Sequence, residues 1–283
     1  MLWKGRRQSG NFEDRRSGGG RIASVGGVGA LIIGLIVWFL GGNPTEILQS
    51  IQPGSSVETP ANDAQTNAHE DELIQFSRVV LADTEDVWNK IFAENNLDYR
   101  DPTLVAFSNS VESACGLATA ATGPFYCPGD EKLYIDLLFF EDLQSKLNTP
   151  GDFVIAYVIA HEVGHHIQKL LGTMDKFNSM RGKLSTSEFN RLSVKLELQA
   201  DFYAGVWAHH AQRMKDIIEE GDIEEAINTA SAIGDDRLQK QTRGRVIPDS
   251  FTHGTSEERM RWFKLGYQTG EISNGDTFNA GEL

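Results

Sequence analysis

The feature that most constrains the fold of this chain is a run of apolar residues that leads directly into a histidine-rich motif. Residues 153–160 are apolar without interruption, and residues 161–166 read HEVGHH. Asp152 precedes the run in a suitable N-cap position, so the pattern predicts a helix that begins there. A helix that is apolar on nearly every side has to be covered by other elements, and we therefore expect it to lie inside a domain.

The motif itself places two imidazoles on one face of that helix. His161 and His165 are four positions apart, about 40° around a helix, so both rings can contact one metal ion. Glu162 lies beside the pair and can act on a water held by the metal without being a ligand. His166 points elsewhere and is interpreted as an ordinary, partly exposed histidine. The alternative is a pair of histidines hydrogen-bonded within a helical core.

A second polar pair with the same spacing follows in ELQAD, residues 197–201. Hydrolytic zinc sites have three protein ligands and leave the fourth position to water. Glu197 can complete a His-His-Glu set, and Asp201 can accept a hydrogen bond from the free ring nitrogen of a ligand histidine. The alternative is a solvated acidic pair on a surface helix. The two motifs together predict one Zn²⁺ per chain, bound between two helices.

Four sequence segments now indicate a family. HExxH followed by ExxxD resembles the zinc metallopeptidases of the gluzincin type. More closely, the chain is similar to the bacterial membrane-anchored family of putative neutral zinc metallopeptidases (YpfJ-like). The segments that carry this resemblance are WKGRRQS at residues 3–9, HEVGHHIQ, ELQADFYAGVWA and THGTSEER at residues 252–259. The resemblance implies a zincin-like domain that hydrolyses peptide bonds in a peptide or protein substrate.

The resemblance also assigns roles to residues. His161, His165 and Glu197 would bind zinc, Asp201 would support a ligand, and Glu162 would take the proton of the attacking water. It further implies that His253 donates a hydrogen bond to the oxyanion of the transition state. The alternative is that His253 only precedes a helix capped by Ser256.

The first 69 residues differ from the rest of the chain. Residues 1–21 contain six basic and two acidic residues, whereas the whole chain has a net charge of −14. Residues 22–40 carry no charge, and as a helix they would extend about 28 Å, close to the thickness of a bilayer core. We expect an uncleaved transmembrane anchor; the alternatives are a signal peptide, although no A-x-A site follows, or a buried helix. Residues 41–69 contain three prolines among polar residues and are expected to be a flexible tether.

These segments predict a location. The basic head, residues 1–21, would lie in the cytoplasm, and residues 70–283 would form a periplasmic domain at the inner membrane. The head could contact anionic lipid or a protein partner. Cys115 and Cys127 would then form a disulfide, with two buried thiols as the alternative. The acidic composition argues against a nucleic-acid partner.

The remaining pattern is that of a predominantly helical α+β domain with a small sheet. Helices are predicted over residues 72–95, 187–213, 222–239 and 256–270, besides the one after Asp152. Strands are predicted over 103–107 and 132–137, and the second could offer an edge to an extended peptide. Residues 176–184 are expected to be a surface loop.

The sequence thus predicts a membrane-anchored zinc peptidase. An anchored zinc-binding scaffold without hydrolytic activity is the alternative function. A purely structural zinc is a further alternative, but it normally needs four protein ligands.

Overall fold

The computed structural model describes residues 1–16, 63–119, 122–137, 139–140, 151–281 and 283. Its helices are α1 (Asp63–Glu94), α2 (Phe153–Leu170), α3 (Thr173–Ser179), α4 (Thr186–Lys215), α5 (Asp222–Ala232), α6 (Asp235–Arg243) and α7 (Ser256–Thr269). Its strands are β1 (Phe12–Asp14), β2 (Thr103–Phe107), β3 (Ser110–Ser113), β4 (Gly116–Thr119), β5 (Phe125–Cys127) and β6 (Lys132–Asp136). The predicted class, a helix-rich α+β fold with a small sheet, is confirmed.

Four of the strands form one sheet in the order β1-β2-β6-β5. β2 is parallel to both β1 and β6, and β5 is antiparallel to β6. The prediction that residues 132–137 offer an edge to a peptide is wrong for residues 132–134, because β6 pairs there with both β2 and β5. Its residues Leu133, Tyr134 and Ile135 are all buried, as expected of a central strand covered on both faces.

The strands β3 and β4 form a separate hairpin, which a disulfide links to the sheet. Cys115, in the turn of the hairpin, is bonded to Cys127 at the end of β5, with a Cα–Cα distance of 5.8 Å. The predicted disulfide is therefore present. The small second core between hairpin and sheet contains Val105, Phe107 and Val111.

The helices follow the predicted boundaries with a few instructive differences. Helix α1 begins at Asp63, inside the segment predicted to be a tether. The helix predicted over 222–239 is instead two helices, α5 and α6. They separate at Gly234, where a Cβ atom would lie 2.4 Å from the backbone nitrogen of Ser256. The predicted loop over 176–184 includes the end of the short helix α3.

The caps of two helices also differ from the prediction. Asp152 occupies the N-cap position of α2 but makes no side-chain cap bond. Its carboxylate instead accepts a 2.6 Å hydrogen bond from the amino group of Met1. Helix α7 is capped by Thr255 rather than Ser256, in a capping box with Glu258. In both cases the helix begins where the pattern predicts, but the predicted residue does not make the capping hydrogen bond.

The basic head is part of the domain. β1 adds to the sheet beside β2, and the backbone N–H of Arg15 donates a 2.8 Å hydrogen bond to the carbonyl of Ala106. The side chain of Met1 is buried, and Ser9 is not exposed at all. The prediction of a separate head is therefore wrong for residues 1–16, because these residues complete the sheet and the core.

The positive charges of the head are paired within the chain. Arg6 contacts Asp83 at 2.8 Å on α1, and Arg7 contacts Glu85 at 2.9 Å and Asp86 at 2.6 Å. The other basic side chains among residues 1–16, those of Lys4, Arg15 and Arg16, also contact carboxylates. The acidic face of α1 thus provides the partner for the basic pattern that the sequence shows.

The predicted anchor, residues 22–40, lies outside the described residues, as does the tether up to residue 62. Within the part that is described, no helix combines the length and the apolar character that a membrane span requires.

The head contacts predict a measurable contribution to stability. Because Arg7 bridges buried Glu85 and Asp86, we expect Arg7→Ala in the full-length chain to lower the free energy of unfolding by about 1 kcal/mol. Arg15→Ala is the matched control, since among the described residues the Arg15 guanidinium pairs with Glu13 of the head itself, and it should change stability by less than about 0.5 kcal/mol. Urea unfolding followed by circular dichroism measures both. Equal losses would show that the contacts between Arg7 and α1 add no stability.

Candidate metal centre

The site lies where α2 and α4 approach each other most closely. Gly164, inside the HEVGH motif, faces the backbone of Ala200 on α4, and a Cβ atom there would be 2.8 Å from the carbonyl oxygen of Ala200. Only glycine permits this approach without a shift of one helix. Helix α4 is held at its start by a capping box between Ser185 and Glu188. The two helices are thereby placed with their polar motifs face to face.

The three predicted ligands converge on one point. Oε2 of Glu197 lies 3.2 Å from Nε2 of His161 and 3.5 Å from Nε2 of His165. The three ligand atoms lie within 4.8 Å of one another. Zinc bonds of 2.0–2.2 Å in a tetrahedron require ligand atoms about 3.4 Å apart. The donor set therefore fits a single zinc ion in spacing and in chemistry.

The electrostatics of Glu197 suit a ligand. Burial by itself raises the pKa of its carboxyl, but the neighbouring rings of His165 and His161 lower it well below the ordinary value. The group is consequently an ionised carboxylate at neutral pH, which is the form that binds a cation.

The ring of His161 is fixed by a buried carboxylate. Asp201 has no exposed surface, and its Oδ1 accepts a 2.8 Å hydrogen bond from Nδ1 of His161. Because a carboxylate only accepts, Nδ1 carries a proton, and the neutral ring would bind a metal through the lone pair of Nε2. The structure thus places Asp201 where the sequence predicts it, behind a ligand.

Asp201 is itself held by two further groups. The Tyr157 hydroxyl donates to Oδ1 at 2.5 Å, and Arg259 of α7 donates to both carboxylate oxygens, at 2.8 and 3.0 Å. Burial raises the pKa of Asp201, but Arg259 and His161 lower it below its ordinary value. Oδ1 thus accepts three hydrogen bonds and Oδ2 accepts one, and together they hold the carboxylate against His161.

The second histidine has an equivalent support that the sequence analysis missed. Nδ1 of His165 donates to Oε1 of Gln168 at 2.9 Å. Nε2 of Gln168 donates to the carbonyl of Leu196 at 2.6 Å, which leaves its oxygen to face the histidine. The sequence could have predicted this support, because Gln168 is three residues after His165 and residue i+3 on a helix lies on the same face as residue i.

Glu162 lies beside the ligands and is buried. It is not one of the three converging donors. A carboxylate in this position can exchange a proton with a group at the metal.

His166 differs from its interpretation as a partly exposed residue. It is completely buried; Nε2 donates to the carbonyl of Arg100 at 2.6 Å, and Nδ1 accepts from the Tyr126 hydroxyl at 3.0 Å. The reason is that this side of α2 faces β5 and the preceding segment instead of solvent. His166 therefore attaches the sheet to the metal helix.

His253 is brought to the site by a loop that Asp235 holds. Oδ2 of Asp235 accepts hydrogen bonds from the backbone N–H groups of Thr252, His253 and Gly254, at 2.7, 2.7 and 3.2 Å. The His253 side chain is 45% exposed. Burial lowers its pKa, but Asp235 and Glu197 raise it above the ordinary value. The charge of Glu197 therefore acts on the His253 ring.

The motifs that form this site also occur in a family of known proteins. The family model described as "Putative neutral zinc metallopeptidase" matches residues 1–278. The chain belongs to this family. The match includes the head and both metal motifs, so the family unit comprises the N-terminal segment as well as the helical domain.

Relatives in two bacterial groups share most of the chain. The uncharacterized protein YpfJ of Escherichia coli K12 is 46% identical over 285 residues, covering 98% of this chain and 99% of its own. The uncharacterized protein Rv2575 of Mycobacterium tuberculosis H37Rv is 37% identical over 251 residues, covering 85% of this chain and 81% of its own. No solved structure shows a significant match. Family membership supports a zinc metallopeptidase in general terms.

The support of His165 by Gln168 predicts an effect on metal binding. Gln168→Leu removes the acceptor for Nδ1, so the ring is free to turn, and zinc affinity should fall about 10–100-fold. Competition with a chromophoric chelator measures this affinity. Gln199→Leu is the matched control, because Gln199 contacts Gln168 at 3.2 Å but no histidine, and we expect a smaller loss. Equal affinities in the wild type and Gln168→Leu would contradict the assigned role.

Proposed function

We propose that the protein is a zinc-dependent peptidase that hydrolyses peptide bonds with Glu162 as general base. The observation that carries this proposal is the convergence of His161, His165 and Glu197 at zinc spacing beside the buried carboxylate of Glu162. When bound, zinc supplies a Lewis acid that acidifies water and polarises a carbonyl group. The described residues offer three converging donors at this point rather than the four of a structural site.

In this mechanism the chain moves one proton. Glu162 accepts it from the attacking water and donates it to the nitrogen of the leaving amine as the C–N bond breaks, and the resulting carboxylic acid then loses its remaining proton to solvent. His161 and His165 keep their orientation throughout, because Asp201 and Gln168 hold their second nitrogens.

His253 is proposed to donate a hydrogen bond to the oxyanion that forms during attack. Two observations support this role: the loop packs against α4 on both sides of Glu197 in sequence, with Gly254 facing Val194 and Leu198, and the ring is exposed enough to meet a substrate. Asp235 fixes the backbone on both sides of the ring, so its position is set before substrate arrives.

A zincin-like arrangement and a location outside the cytoplasm complete the proposal. The first is supported by the small sheet attached to the metal helix through Tyr126 and His166. The second is supported by the disulfide between Cys115 and Cys127, since such bonds persist in oxidising compartments.

Replacing Glu162 tests the mechanism directly. Glu162→Gln should retain one zinc per chain and lose at least about 100-fold in kcat/KM, because a general base contributes about 10²–10⁴-fold. Cleavage of a fluorogenic peptide library by the full chain and zinc content by atomic emission are the two measurements. The matched variant is Glu197→Ala, which should lose zinc and activity together.

The two variants separate the candidate functions. Equal cleavage by wild type and Glu162→Gln would remove Glu162 from the mechanism. Zinc binding by a wild type that cleaves no peptide would favour the anchored scaffold. Undiminished zinc in Glu197→Ala would contradict the ligand set.

The role of His253 makes a further prediction. His253→Ala should lower kcat about 10-fold or more, while KM and zinc content stay near their wild-type values, since one oxyanion donor is worth about 10²–10³ in the best cases. Steady-state kinetics on a substrate found in the library measures this. An unchanged kcat would leave His253 as a residue that only precedes α7.

A further inference from the structure

The head and the start of α1 meet at one place. Arg16, the last described residue before the gap, contacts Glu70 at 2.9 Å and Asp71 at 3.0 Å near the start of α1. The C-terminal end of the head therefore lies close to the first turns of α1.

The contacts of the head are those of an internal element rather than of a loose tail. β1 pairs along its length with β2, Phe12 opposite Leu104 and Asp14 opposite Ala106. The hydroxyl of Ser9, which has no exposed surface, donates to Glu85. The Trp3 ring packs edge-on against Phe76 on α1, with centroids 5.5 Å apart.

The first two residues of the head also contact residues that flank other helices. The backbone N–H of Leu2 donates to the carbonyl of Ile217, which follows α4, at 2.8 Å. The amino group of Met1 lies 2.6 Å from Asp152, at the start of the metal helix α2. The head therefore braces the beginning of α2 as well as the sheet.

These contacts are incompatible with a single membrane crossing between the head and the domain. The hydrocarbon core of a bilayer is about 30 Å thick, and strands that share backbone hydrogen bonds lie about 4.8 Å apart. A chain that crossed once at residues 22–40 would put β1 and β2 on opposite sides.

We propose that residues 1–16 and 63–283 lie on the same side of the membrane as one folded unit. This replaces the expected arrangement in which the head is cytoplasmic and the domain is outside. The acidic face of α1 and the edge of β2 opposite β6 are the docking surface, and the occupant is the head of this chain, whose β1 pairs with that edge. The inference depends on neither zinc nor peptidase activity.

Sidedness is tested with single cysteines in the full-length chain. Leu2→Cys in the head and Val246→Cys in the domain suit this purpose, because their side chains belong to residues 54% and 41% exposed. Bacterial spheroplasts carrying either variant are treated with a membrane-impermeant maleimide before and after permeabilisation. The wild-type chain gives the blank, since Cys115 and Cys127 are bonded to each other.

We expect the ratio of labelling before and after permeabilisation to agree within two-fold at the two positions. Ratios near one at both positions would also support the proposed location outside the cytoplasm. Ratios near zero at both positions would overturn that location, but the head and the domain would still lie on the same side of the membrane. A ratio near one at one position and near zero at the other would overturn the inference.

Docking itself has a separate control within the head. Ser9→Cys replaces one buried hydroxyl by a thiol of similar size, whereas Leu2→Cys is exposed. In permeabilised cells the cysteine at position 9 should react at least ten-fold more slowly than the one at position 2, and equally fast in denaturant. Equal rates in the native chain would show that the head is not docked.

Discussion

The structure depends most on one buried carboxylate. Asp201 has no exposed surface and accepts hydrogen bonds from His161 and Tyr157 on α2 and from Arg259 on α7. Three helices are thereby joined at one group. A buried carboxylate is costly unless it is paired and hydrogen-bonded, and here the guanidinium balances its charge. The same contact that holds the helices together sets the orientation of a metal ligand.

The metal centre is organised in advance of any ion. Asp201 holds the ring of His161, and Gln168 holds the ring of His165, so both Nε2 atoms face Glu197. Gly164 lets the two helices come close enough for this meeting. Ligands that are already oriented lose little freedom on binding, which favours high affinity. Glu162 remains outside the set, where it can handle a proton.

The head shows how the same charges can support two different interpretations. A basic segment before an uncharged run is typical of a cytoplasmic flank, yet the structure pairs Arg6, Arg7 and Arg16 with carboxylates of α1. The sequence contains both partners, but they are separated by more than fifty residues. Charge composition alone cannot distinguish a lipid surface from an acidic helix of the same chain.

The features of the structure that local residue spacing sets could be predicted from the sequence alone. The four-residue intervals of His161–His165 and Glu197–Asp201, the strand at residues 103–107 and the nearby cysteines all follow from helical or strand geometry over short distances. The features that depend on residues distant in the sequence became visible only in the tertiary structure. The strand at 132–136 is central because β2 and β5 flank it. His166 is buried because β5 covers it. Residues 12–14 form a strand because they pair with the edge of β2 opposite β6. Each outcome is set by long-range packing, which no local pattern encodes.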